Sequence, residues 1–179
     1  MNNDIKKILV QEDQLQKRAK ELAEEISKDY NNEEFVAISI LKGGFVFMAD
    51  LIRNFKQSVQ MDFMVASSYG NGTTSSGKLE IKKDTSIDLK GKNVLIVEDI
   101  VDTGRTLSNL KENFLQRGAK SVKICTMLDK PSRREVEVFV DYIGFCIENE
   151  FVVGYGLDYA EQYRNLPFVG VLKEEIYNN

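Results

Sequence analysis

The chain has 179 residues, 42% of them hydrophobic, enough to bury a full core as one domain over residues 1–179. A net charge of −4, no histidine and only two cysteines argue against a nucleic-acid partner, a zinc site and a disulfide framework. No apolar run approaches the roughly 18 residues that span a bilayer, and the opening residues lack the apolar core of a signal peptide, so no membrane partner and a cytoplasmic location are expected.

Leu15, Ala19, Leu22, Ala23 and Ile26 recur at helical spacing and predict an amphipathic helix. Residues 35–41 read as a buried strand closed by Lys42, Gly43 and Gly44. Phe47, Met48, Leu51, Ile52 and Phe55 continue as a helix. Val59, Met61, Phe63 and Val65 alternate as a strand does, and residues 67–77 are dense in Ser, Gly, Thr and Asn. A loop that long is functional or disordered rather than a simple connection. Residues 94–97 are apolar and mostly β-branched, the pattern of a strand buried on both faces of a parallel sheet. Glu98 and Asp99 end it. Asp102, Thr103, Gly104, Arg105 and Thr106 then turn into a helix marked by Leu107, Leu110, Phe114 and Leu115. A strand over 122–128 leads into Asp129, Lys130, Pro131, Ser132, Arg133 and Arg134, and short strands at 140–145, 151–153 and 168–172 finish the chain. Cys125 and Cys146 both lie in apolar runs and read as small core residues.

The alternation of strand and helix predicts an α/β fold with a doubly wound, mostly parallel sheet, whose ligands bind at the carboxyl ends of the strands. Three polar clusters directly follow predicted parallel strands: residues 42–44, 98–106 and 129–134. They should converge on one crevice. The turn at 102–106 offers unpaired backbone N–H groups, two hydroxyls and the positive end of a helix dipole, a ready anion site. Neither GxxxxGK[ST] nor GxGxxG is present. Acids beside an anion site point to a ligand carrying a phosphate together with hydroxyls or an oxygen-liganded metal, hence magnesium.

The run from Val94 to Leu107 resembles the phosphoribosyl-pyrophosphate signature of type I phosphoribosyltransferases. The resemblance spreads over residues 41–164, and an acid at Asp102 narrows it to the 6-oxopurine branch, the hypoxanthine-guanine phosphoribosyltransferases. It implies a small hood built from the N-terminal and C-terminal segments. It also implies transfer of the phosphoribosyl group to hypoxanthine or guanine, giving IMP or GMP. Asp102, Thr103, Gly104, Arg105 and Thr106 are then expected at the 5′-phosphate, and Glu98 and Asp99 at the ribose and magnesium. Asp102 is the expected general base near the purine N7, with helix capping as its alternative role.

The same resemblance implies that Leu41, Lys42, Gly43 and Gly44 form a pyrophosphate loop with a cis Leu41–Lys42 peptide, joined by Arg134 and Arg164. Lys130 is implied to donate to the purine 6-oxo group, Phe151 to stack on the base, Val152 to meet its edge and Asp158 to bind a second magnesium. Ser68 and Tyr69 match the start of a mobile loop that closes over the reacting centre. Homodimers or homotetramers are the implied assemblies. One departure is local: Glu148 and Asn149 stand where relatives commonly read Pro-Asp. Two other classes share features of the chain. A signalling receiver carries a similar first strand and acid pocket, but near its N-terminus. An RNA-binding regulator on the same scaffold would show a basic face and usually lack the acid at 102.

Overall fold

The computed structural model describes residues 2–31, 33–68 and 79–178. Among them, β1 (Ile5–Val10), α1 (Glu12–Tyr30), β2 (Phe35–Ile40), α2 (Phe45–Ile52), β3 (Gln60–Ser68) and β4 (Leu79–Lys83) make the first half. β5 (Asn93–Val101), α3 (Arg105–Gln116), β6 (Ser121–Asp129), β7 (Tyr142–Cys146), β8 (Val152–Val153), β9 (Val169–Leu172) and α4 (Glu174–Tyr177) follow. The central sheet has the order β4-β3-β2-β5-β6-β7. Strands β3, β2, β5, β6 and β7 run parallel, and β4 is an antiparallel edge strand.

Every residue of β2 is buried, and so are residues 93–97 of β5, because helices cover both faces. Leu15, Leu22, Ile26, Phe47 and Leu51 of α1 and α2 pack with Leu95 and Val97 on one face. Leu107, Leu110 and Phe114 of α3 pack with Val94 and Ile96 on the other. The alternation within residues 94–97 thus feeds two cores from one strand. A reciprocal capping box between Gln11 and Gln14 starts α1, and Asn31 ends it in the left-handed conformation that a short polar side chain tolerates.

A second, three-stranded antiparallel sheet, β1-β9-β8, joins the N-terminal and C-terminal segments into the expected hood. Buried hydrogen bonds tie it down. Asp50 on α2 accepts from the Tyr155 hydroxyl (2.7 Å) and from Gln16 of α1 (2.6 Å).

Several expectations need correction. Ser67 and Ser68 are not loop residues: they extend β3 and pair with Glu80 and Leu79, because the antiparallel edge strand supplies backbone partners. Tyr69 and the rest of the 67–77 loop lie outside the described residues. Helix α2 stops at Ile52, and Phe55 packs on the core from beyond it. Cys125 is buried as expected, whereas Cys146 is exposed at the end of β7.

Candidate active site

The three polar clusters meet at the carboxyl ends of β2, β5 and β6, where the parallel order requires them to. Strand alternation sends the paired acids of β5 to opposite faces. Glu98 points to the α3 side and lines a 120 Å³ cavity with Thr103, Gly104, Thr106 and Leu107. Its Oε2 is buried without a hydrogen-bond partner, and burial together with the neighbouring Asp99 raises its pKa. Asp99 points to the other face and is buried; a Cβ on Gly43 would fall onto its carboxylate. Burial pushes Asp99 up to about 6, against the pull of its hydrogen bond from the Ile100 N–H and of the Arg164 charge. These are not surface acids.

The turn after β5 is held open by Gly104, whose φ of +82° and tight contact with the Val136 carbonyl leave no room for a side chain. Gly104, not Asp102, is the N-cap of α3, so capping is not Asp102's role. The Thr103 carbonyl is fixed by the N–H groups of Glu135 (3.0 Å) and Val136 (3.1 Å), and Arg105 pairs outward with Glu135 (2.6 Å). What the turn offers inward is backbone N–H and hydroxyl, at the start of a 12-residue helix.

The Leu41–Lys42 peptide is cis. Against this loop lies the hood segment 154–164: Gly156, at φ +101°, abuts the Gly43 carbonyl so closely that a Cβ there would overlap it. Arg164 donates to the Gly156 carbonyl (2.8 Å) and pairs with Asp158 (2.8 Å), while its Nε is buried without a partner. Lys42 pairs with Glu161 at 2.8 Å. Lys42, Arg164 and Asp158 therefore share one corner. Arg134 donates to the Asp102 carbonyl (2.7 Å) and pairs closely with Asp129, which braces the signature turn.

A second cavity, of 520 Å³, opens beside the turn and is lined by Asp102, Lys130, Phe151, Val152, Asp158 and others. Val152 is buried in β8 and Phe151 is partly exposed. Lys130 is buried, donates to the Glu150 carbonyl (2.6 Å), and has its pKa lowered, chiefly by burial. Glu148 and Asn149, the local departure, form a tight turn closed by the Glu150 N–H on the Glu148 carbonyl (2.8 Å), which still presents Asn149 to this cavity. Asp102 borders both cavities, the small one by the turn and the large one by Lys130. A hollow of 570 Å³ at the opposite end of the sheet, among Glu33, Lys90, Lys92 and Lys120, is marginally larger but holds none of the three clusters.

Three residues here escaped the sequence reading. Arg133 pairs with Asp102 at 3.2 Å, Tyr177 stacks on Phe151 with centroids 4.7 Å apart, and Glu161 meets Lys42. Only Arg133 carried a signal, its place in the cluster after β6. Tyr177 and Glu161 reach the site through hood packing alone.

The model of the phosphoribosyl transferase domain matches residues 7–160. The hypoxanthine-guanine phosphoribosyltransferase of Streptococcus pneumoniae strain R6 is 54% identical over 179 residues, covering 100% of this chain and 99% of that protein. That of Bacillus subtilis strain 168 is 51% identical over 179 residues, again covering 100% and 99%. A crystal structure of the Staphylococcus aureus hypoxanthine phosphoribosyltransferase superposes with a TM-score of 0.96 at 46% identity, covering 100% of this chain and 97% of that one. These matches set aside a receiver domain. Signature turn, strand-end crevice and whole-chain similarity agree, and the chain belongs to the phosphoribosyl transferase family, among its hypoxanthine-guanine phosphoribosyltransferases.

Proposed function

We propose that the chain moves the 5-phosphoribosyl group from phosphoribosyl pyrophosphate to hypoxanthine or guanine, giving IMP or GMP plus pyrophosphate in purine salvage. The position of Asp102 carries this reading: one carboxylate borders both a helix-start anion cradle and a base-sized cavity that contains a buried lysine. The test is turnover with phosphoribosyl pyrophosphate and magnesium, offered hypoxanthine, guanine, adenine, uracil and orotate in turn. Synthesis from the two 6-oxopurines alone is expected, and synthesis from adenine or orotate would overturn the assignment.

In this reading the 5′-phosphate sits in the cradle of Thr103, Gly104, Arg105 and Thr106, held mainly by backbone N–H groups. Glu98 and Asp99 accept hydrogen bonds from the ribose. The purine lies between Phe151 and the Val152 backbone, and Lys130 donates to its 6-oxo group. An ammonium has three donors, so the bond to the Glu150 carbonyl leaves others available. A purine nitrogen attacks the anomeric carbon as the bond to pyrophosphate breaks. Asp102 takes the proton from N7, and Lys42, Gly43, Gly44 and Arg164 stabilise the departing charge. Ser68 and Tyr69 begin the segment that excludes water from the developing cation.

Magnesium fits the donor set. Among the described residues no three acids, cysteines or histidines gather as a metal cage, which suits an ion held largely by substrate oxygens and water. The orphaned Glu98 Oε2 and the raised Asp99 carboxyl favour an occupant that brings positive charge; Glu98 and Asp99 would meet one ion at the ribose, and Asp158 would hold a second. When bound, the ion neutralises charge on pyrophosphate. Phe45, exposed at the start of α2 beside the Lys42 loop, supports a homodimer or homotetramer that meets there. A cytoplasmic setting accords with the phosphorylated donor, and no helix of the described residues is long and apolar enough to cross a membrane.

A further inference from the structure

We infer that the carboxylate of Glu161 is a resident anion of the pyrophosphate subsite, which the donor's pyrophosphate displaces on binding and which closes again on Lys42 as pyrophosphate leaves. The inference rests on the reading of Lys42 and Arg164 as pyrophosphate ligands. Glu161 contacts both of these cations, Lys42 Nζ at 2.8 Å and Arg164 Nη2 at 3.6 Å. Pyrophosphate needs the same two groups, so the carboxylate competes with it for their charge.

The backbone aims the carboxylate. Ala160, Glu161 and Tyr163 all have left-handed φ values, +50°, +63° and +74°, although none is glycine. Such residues are uncommon and persist only where their surroundings enforce them. The Glu161 N–H donates to Asp158 (2.9 Å), and Tyr159 and Gln162 pair antiparallel across the turn, so the whole 158–164 segment is fixed against Arg164. The contact is also easily broken. Lys42 and Glu161 are each about two-thirds exposed (64% and 65%), and an exposed pair of this kind holds weakly. An anion with several charges therefore outcompetes a single carboxylate, while the carboxylate lowers pyrophosphate affinity and hastens product release.

The experiment measures magnesium pyrophosphate binding by calorimetry, and product inhibition against phosphoribosyl pyrophosphate, in the full chain and three variants. In Glu161→Gln, pyrophosphate should bind about 2–5-fold more tightly, since an exposed competing charge is gone. In Lys42→Ala, pyrophosphate should bind more weakly. In the double variant, the gain from Glu161→Gln should largely disappear, because the shared cation is absent. No gain in the single variant, or the same gain with and without Lys42, overturns the inference while leaving the subsite intact. If Lys42→Ala leaves pyrophosphate affinity unchanged, the pyrophosphate subsite itself is wrongly assigned.

Discussion

Asp102 and Asp99 show how two carboxylates three residues apart acquire different work. Asp102 is open to both cavities and oriented by Arg133. Asp102→Asn keeps the shape but removes the base, so kcat should fall on the order of 10²–10⁴, with donor affinity within a few-fold. Collapse of donor binding with turnover intact would make Asp102 a structural residue. Asp99 is buried and its pKa stands near 6, above the ordinary 3.8, chiefly through burial. The folded state therefore keeps a proton that the unfolded chain releases, and stability falls as pH rises from about 4 to 6. At neutral pH this amounts to at most about 3 kcal/mol. Asp99→Asn should accordingly raise the urea midpoint of the unliganded protein at pH 7.5 by the equivalent of about 1–3 kcal/mol, and the gain should vanish below pH 4. The same variant should lose donor binding. A destabilised variant at pH 7.5 would show that the carboxylate is well compensated in the fold. Stability given up at a site that a charged ligand later neutralises is the usual cost of preorganisation.

At the scale of elements, what the sequence made legible follows from period and length. Strands β2, β5 and β6 are buried on both faces and read as apolar runs. Helices α1 and α3 carry clear 3.6-residue stripes, and all five were visible along with the crevice at the strand ends. Strands β1 and β4 were not. Both are largely exposed edge strands in which Lys and Glu interrupt the alternation, and pairing with distant segments defines them. Ser67 and Ser68 were misread for the same reason. Site residues on strand-end turns were legible because a fixed spacing carries them; Glu161 and Tyr177 depend on how the hood docks. That docking is set by glycine at one point, Gly156 at φ +101° against the Gly43 carbonyl. Gly156→Ala should cost about 1–3 kcal/mol, a drop of several degrees in Tm for a chain this size, and should weaken pyrophosphate binding by displacing the loop. Differential scanning fluorimetry and pyrophosphate titration read the two effects. Unchanged values in both would mean that hood and loop are not in register as described.

For the whole molecule, both sheets contribute to both ligands. The carboxyl edge of the six-stranded sheet supplies most of the groups proposed for the donor, Arg164 of the hood segment joins Lys42 at the pyrophosphate, and the three-stranded hood closes the cavity proposed for the base over Lys130. Both ends of the chain build that hood: Lys173 donates to the Asp4 carbonyl (2.9 Å), and the Tyr163 hydroxyl to the Asp4 carboxylate (3.2 Å). α4 then brings Tyr177 onto Phe151 at an interplanar angle of 20°, with Tyr159 edge-on to both rings. Phe151 thus enters its cavity already packed on one side, which spares the purine the entropy of ordering the ring it stacks on. An offset aromatic pair contributes about 0.5–1.5 kcal/mol beyond its buried area. Tyr177→Ala should therefore lower kcat/KM for hypoxanthine by about 2–13-fold. Tyr177→Phe should restore it, because the ring and not the hydroxyl makes the contact. The Kd for phosphoribosyl pyrophosphate, measured without base, should stay unchanged, since the ring of Tyr177 packs on Phe151 and Tyr159 rather than on the pyrophosphate corner. A parallel loss of donor affinity would mean that α4 holds the hood as a whole rather than the purine face of Phe151, and the two halves of the crevice would then have to be treated as one cooperative unit.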